Sequence, residues 1–179
     1  MKNIVMLKNL LDKEIIFMRE QSARKLVYIE DEDIIRIMFR NFSGNPDKYH
    51  KNGVMPNFWI ALTEEKAKEL INMGMNVKER ENRDGDLEYR LQVFVRFDNF
   101  PPTVVKICGR RQIRLDEDMI ADLDRDEIEK IDLAISPYHY EMEGRTGIKA
   151  YLNKGYFTII EDAFDRRYNF DDEDTFGEE

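Results

Sequence analysis

Residues 87–97, LEYRLQVFVRF, alternate without interruption. Successive side chains of an extended strand point to opposite faces, so a two-residue period marks a half-buried β-strand. Leu87, Tyr89, Leu91, Val93, Val95 and Phe97 share one parity and form an apolar face for a core. Glu88, Arg90, Gln92, Phe94 and Arg96 share the other, an open face that is basic and carries an aromatic ring. The fold must bury the first face and present the second.

The same rule extends along the chain. Residues 34–42, IIRIMFRNF, alternate, with Ile35, Ile37 and Phe39 on the expected core parity and Arg36, Met38, Arg40 and Phe42 on the open one. A loop rich in turn residues follows and holds Lys48, Tyr49, His50 and Lys51. In the next strand, PNFWIAL, parity sends Phe58, Ile60 and Leu62 inward and Trp59 outward. TEEKAKELINMG reads as a helix with Thr63 as its N-cap, Glu64 and Glu65 in its first turn and Gly74 at its end. Pro101 and Pro102 precede the strand TVVKICG, and a short helix is expected from about Asp116. KIDLAISPYHYEM and IKAYLNKGYFTII are strands joined by a tight turn at GRTG. Five or more strands, one clear helix and one core predict a mainly β fold, best matched by a small, partly open barrel of the OB type. The strand spacing is also compatible with a sandwich. Residues 1–25 carry Ile4, Leu7, Leu11, Ile15 and Met18 at helical steps, as an amphipathic helix that covers one end of the barrel would; docking or homo-oligomerisation is the alternative use.

Several functions are disfavoured. Cys108 is the single cysteine and His50 and His139 are the two histidines, so no zinc site forms at standard spacing. Cys108 lies in an apolar stretch and reads as a core residue. Charges interrupt every apolar run before the roughly 20 residues of a membrane span. Lys8, Asp12, Lys13 and Glu14 spoil residues 1–23 as a signal peptide, which predicts a cytoplasmic protein. No P-loop, dinucleotide-binding or Ser–His–Asp pattern occurs, so no cofactor and no enzymatic activity are expected.

The net charge of −9 argues against nucleic acid until its distribution is considered. From Glu161 onward nine acids face only Arg166 and Arg167, which places −7 of the charge at the C-terminal end. The body is then nearly neutral and carries arginines, lysines and aromatic rings on its open strand faces. Single-strand binding needs that pair of features: cations to follow the phosphates, and flat side chains to stack on bases without demanding their identity. Phosphates are expected along Arg36, Arg40, Lys48, Lys51, Arg90, Arg96, Lys149 and Lys154, and bases on Phe42, Phe94, Tyr138, Tyr140, Tyr151 and Trp59, with Tyr49 beside them.

Two other readings stay open. The nine acids between Asp116 and Asp132 read most simply as a solvated face. A metal-dependent nuclease would instead use Asp116, Asp118, Asp122 or Glu127. An acidic protein that mimics nucleic acid and inhibits a host nuclease or defence complex would use the overall acidity. The tail, residues 163–179, has too few apolar residues to fold alone. Phe170, Asp171, Asp172, Asp174 and Phe176 form an acidic–aromatic segment suited to basic pockets on partner proteins, or to occupying the DNA groove when DNA is absent.

The blocks FRNFSGNPDKYHKNGVMPNFWIAL, GMNVKER, YRLQVFVRF, PPTVVKICGRR and LDEDMIADLDRDEIEKIDLAISPYHYEMEGRTGIKAYLNKGYFTI resemble a family of bacteriophage single-stranded-DNA-binding proteins. The resemblance spans roughly residues 28–162, and its most specific part is SPYHY close to GRTGIKAYL. It implies an OB fold with an acidic C-terminus, sequence-independent DNA binding in phage replication and recombination, and no catalysis. The N-terminal helix is an addition to the family pattern, and Tyr140 stands where that pattern has a tryptophan. The organisation expected is therefore a helical extension over 1–25, a binding domain over 26–162 and an acidic tail over 163–179.

Overall fold

A computed structural model of the chain describes residues 25–161, together with Lys8, Asn9, Asp12 and Lys13, which are helical. The remainder of the expected N-terminal helix and the tail residues Phe170, Asp171, Asp172, Asp174 and Phe176 lie outside the described residues.

The strands are β1 (Val27–Ile29), β2 (Ile34–Asn41), β3 (Asn57–Leu62), β4 (Lys78–Glu81), β5 (Leu87–Phe94), β6 (Thr103–Cys108), β7 (Arg111–Leu115), β8 (Ile128–Met142) and β9 (Arg145–Ile159). They join in one nine-stranded sheet whose main path runs β1-β8-β9-β5-β3-β2, with β4 added beside β5 and the β6–β7 pair added beside β9. Among the described residues no pairing links β1 to β2, so the sheet is not closed. Most contacts are antiparallel; β5 and β6 run parallel to β9.

Helix α1 (Glu64–Asn72) crosses over after β3. Thr63 caps it by accepting a hydrogen bond from the Lys66 amide, and the chain leaves it through Gly74 at φ +84°. Ala67 and Leu70 are its buried contribution to the core. Every strand of the main path lays apolar residues into the same interior, β2 through the half-buried Ile34 and Ile37, and the interior also takes Ile120 and Leu123 of a 3-10 turn, Ile120–Asp124. Its centre is a trio of rings. Phe42 stacks on Phe58 at 5.0 Å, and both meet the edge of Phe157, at 5.6 and 5.9 Å. Such ring pairs add about 0.5–1.5 kcal/mol each beyond the area they bury.

Phe42 is thus a correction to the parity reading: it is 1% exposed, not on the open face. The cause is local. β2 slips against β3 twice, between Ile34 and Arg36 and again between Met38 and Asn41. Each slip inserts a residue without a partner, and a one-residue slip reverses the facing of everything after it. Ile35 and Phe39 are the inserted residues, and both are exposed rather than buried. Beyond the second bulge Asn41 takes the outer side and Phe42 the inner. Arg40 is corrected for the same reason. Its guanidinium donates to the carbonyls of Leu123 and Asp126 and ties β2 to the 3-10 turn.

The hairpin between β8 and β9 also differs from expectation. Its turn is Glu143–Gly144, both at positive φ, between the paired Met142 and Arg145, so Arg145 to Gly147 belong to β9. Two central residues at positive φ match the right-handed twist of the flanking strands. Cys108 is half-buried against the core, and burial pushes its thiol above the ordinary range, so it is an inert packing group.

Candidate nucleic-acid interface

The outer side of β8, β9, β5, β3 and β2 carries one continuous row of aromatic and cationic side chains. Register places them. Tyr138 is opposite Lys149, Ser136 opposite Tyr151, Tyr151 opposite Phe94, Phe94 opposite Asn57, and Gln92 opposite Trp59. Their inward neighbours Leu91, Val93, Ala150 and Leu152 are buried, which fixes the outward facing of the row.

The rings touch. Tyr151 lies 5.9 Å from Phe94 and 5.4 Å from Tyr138, the latter edge to face. The Lys149 ammonium sits 5.5 Å from the Phe94 ring centre and 5.0 Å from that of Tyr140. A cation is attracted to the negative face of an aromatic ring, so Lys149 and the two rings pack as one group. Tyr140 lies across Gly147, its cross-strand partner; a Cβ there would come within 2.5 Å of the Tyr140 hydroxyl oxygen. Asn76 donates to that hydroxyl at 3.1 Å, having been brought alongside β9 by the bond from its own amide to the Ile148 carbonyl.

Further along, Gln92 donates to Asn57 at 3.0 Å, and the Lys78 ammonium stands 5.4 Å from the Trp59 ring. At the β2 end, Arg36 donates to both oxygens of Glu88, at 2.8 and 2.9 Å, and Arg90 adds a third bond at 2.7 Å. Glu88 is 8% exposed. Burial pushes its carboxyl up, but the hydrogen bonds and charges of the two arginines outweigh burial and hold it below the usual glutamate range. The trio therefore keeps one net positive charge.

Of the expected site residues, Trp59, Arg90, Phe94, Tyr138, Tyr140, Lys149 and Tyr151 come together on this row, with Arg36 at its end. Lys48, Tyr49 and Lys51 stand exposed on the loop between β2 and β3, with the Lys48 ammonium over the Tyr49 ring. Arg96 follows β5 and lies 3.9 Å from Asp98. Lys154 lies beyond a bulge in β9, beside Ala134 and Thr103. Phe42 and Arg40 are drawn into the structure as described. Phe39, Asn57, Asn76, Lys78, Gln92 and Gly147 join the row without having been singled out. Gln92 was legible on the open parity of β5, and Asn57 on the parity of Trp59 in β3; the others depend on a bulge, on the turn and on loop placement that periodicity does not encode.

Several of the acids between Asp116 and Asp132 serve separate structural ends. Asp124 accepts from the Phe42 and Ser43 amides and the Ser43 hydroxyl, Asp116 accepts from the Asp118 and Met119 amides, and Asp126 pairs with Lys106. Among the described residues no group of three His, Cys, Asp or Glu side chains is placed to hold a metal ion, and no helix is long and apolar enough to cross a membrane.

A mainly β protein with a cationic, aromatic outer face is the class that this sheet and row define. The chain belongs to the phage single-stranded-DNA-binding family: the family described as "Putative phage ssDNA-binding domain" matches residues 18–175. Among solved structures, the single-stranded DNA-binding protein from bacteriophage Enc34 in complex with ssDNA is 12% identical, with 76% of this chain and 89% of that chain covered and a TM-score of 0.46. A second structure of the single-stranded DNA-binding protein from bacteriophage Enc34 is 13% identical over 86% of this chain and all 100% of that one, again at a TM-score of 0.46. The protein gp2.5 of bacteriophage T7, a single-stranded DNA binding protein, is 10% identical over 83% and 97% of the two chains, with a TM-score of 0.37. No curated protein matches the chain.

Proposed function

We propose that this chain packages single-stranded DNA during phage replication and recombination, without base specificity and without catalysis, on an OB-type, partly open barrel. The observation that carries the reading is the packed group Phe94, Tyr138 and Tyr151 with Lys149 over Phe94, on the outer side of a sheet whose inner side is fully committed to the core. Bases stack on Phe94, Tyr138, Tyr140, Tyr151 and Trp59. Phosphates follow Arg96, Lys149 and Lys154, Arg36 and Arg90 flank the strand while paired with Glu88, and the loop lysines Lys48 and Lys51 close over the strand beside Tyr49. Asn57 and Gln92 offer both donors and acceptors, which any base edge satisfies. An unpaired strand can splay its bases onto such rings; a duplex keeps them stacked inside.

The acidic tail has two roles in this account. Its charge competes with DNA for the cationic row, and its Phe170 and Phe176 among acids engage basic pockets of replication and recombination proteins in the host cytoplasm. Deleting residues 168–179 should tighten single-strand binding at low salt, with the gain fading as ionic strength rises and screening shortens the reach of the tail. A titration of full-length and truncated chains across a salt series checks this. Equal affinity at low salt would remove the competition. A slope of log affinity against log salt near zero for both chains would remove phosphate binding, and with it the function.

A further inference from the structure

Phe39 has a backbone that its side chain disfavours and an environment that does not need it for packing. Its φ is +49° and its ring is 64% exposed. Left-handed backbone at a bulky residue is a strained arrangement, retained where the surroundings impose it and found most often at functional positions. Here the second bulge of β2 imposes it and pushes the ring onto the outer side of the sheet.

The ring borders an open cleft of about 550 Å³ between β2, β5 and the 82–86 turn that links β4 to β5. That volume is within the range of small-molecule sites. Met38 supplies an apolar wall and Arg90 stands 5.7 Å from the Phe39 ring centre, covering one face and leaving the rest of the ring open. The charges around the cleft cancel, since Arg36, Arg83 and Arg90 face Glu81, Asp84 and Glu88. A cleft with a flat ring, donors and acceptors and no net charge suits a neutral planar heterocycle better than a phosphate.

We propose that this cleft is a base-binding subsite at the β2 end of the row, in which one unpaired nucleobase of the bound strand stacks on Phe39. The Arg36–Glu88–Arg90 trio positions it: Glu88 holds Arg90 against the ring from one side. The proposal rests on the single-strand reading above and adds a stacking position that neither parity nor the aromatic group around Tyr151 contains.

The test uses the full chain and a labelled single strand of about 20–30 nucleotides, longer than the site of one barrel. Phe39→Ala and Phe39→Asn should each weaken binding about tenfold, the loss expected from one stacked base. Asparagine tolerates left-handed backbone, so Phe39→Asn should melt at or above the wild-type temperature while binding less well. Phe39→Trp should keep wild-type affinity and show more indole quenching on strand addition than the wild type, whose single indole is Trp59. The slope of log affinity against log salt should stay unchanged in Phe39→Asn, because no phosphate contact is lost. Wild-type affinity for Phe39→Ala and Phe39→Asn, alongside a loss for Phe94→Ala, would overturn the subsite and leave the single-strand reading standing. Wild-type affinity in all three would overturn both. A fall of about one in the salt slope would place a phosphate in the cleft and overturn the base assignment.

Discussion

Phe94→Ala and Tyr151→Ala should each weaken single-strand binding by about 1–3 kcal/mol, the worth of a stacked base on an aromatic platform. The two rings are in contact at 5.9 Å, so the double variant should lose less than the sum of the single losses. Both side chains lie on the outer side of the sheet, opposite one another in the parallel β5–β9 register, with their inward neighbours Val93 and Ala150 in the core. Thermal unfolding should therefore move little while affinity falls. Anisotropy titrations of the three variants check this at one fixed salt concentration. Unchanged affinity in both single variants would take the central platform out of the site and, with it, the reason for placing DNA on this face.

The largest effect on stability is expected from Phe42→Ala. Truncating a fully buried ring costs about 3–5 kcal/mol, through lost transfer energy and the cavity left between its neighbours. Phe58 and Phe157 both pack directly on Phe42, and β-strands hold them on fixed backbones, so the cavity cannot collapse cheaply. Urea unfolding measures the loss, and the midpoint should fall without a change in the slope of stability against denaturant. A small loss of stability combined with a large loss of DNA affinity would contradict the account, for it would return Phe42 to the outer face that simple alternation assigns to it.

These two phenylalanines show where alternation works as a guide and where it stops. Along β5 the period of two runs unbroken from Leu91 to Val95, and the structure follows it: the odd positions are buried, and Gln92 and Phe94 face out. In β3 it places Trp59 outside and Phe58, Ile60 and Leu62 inside. The helix announces itself through Thr63 and Gly74, whose cap and turn geometry need those residue types. β2 has the same written pattern but two bulges, and neither carries a glycine to mark it. Its facing was therefore legible only for Arg36 to Met38, and Phe39, Arg40 and Phe42 changed sides. Long-range placement was not legible either. Arg40 serves the carbonyls of a turn more than eighty positions away, and Asn76 reaches Tyr140 only because the chain after α1 runs beside β9. The site thus emerged from the sequence as a composition of one face, cationic and aromatic. Its ring-to-ring contacts and its β2 end needed the pairing register.

Glu88 illustrates a related point. On sequence it is an acid on a face meant for phosphates. In the fold it is the residue that pins two arginines, and a buried carboxylate with three short donor bonds is one whose charge is spent locally. Glu88 leaves its surroundings cationic because two arginines answer it.

The most direct test of the central claim is fluorescence anisotropy of a labelled single strand of about 20–30 nucleotides against the matching duplex, at low and at moderate salt. The account predicts tight binding to the single strand that weakens steeply with salt, and weak binding to the duplex at both concentrations. Equal affinity for the two forms, or no binding of the folded protein to the single strand at low salt, would contradict it.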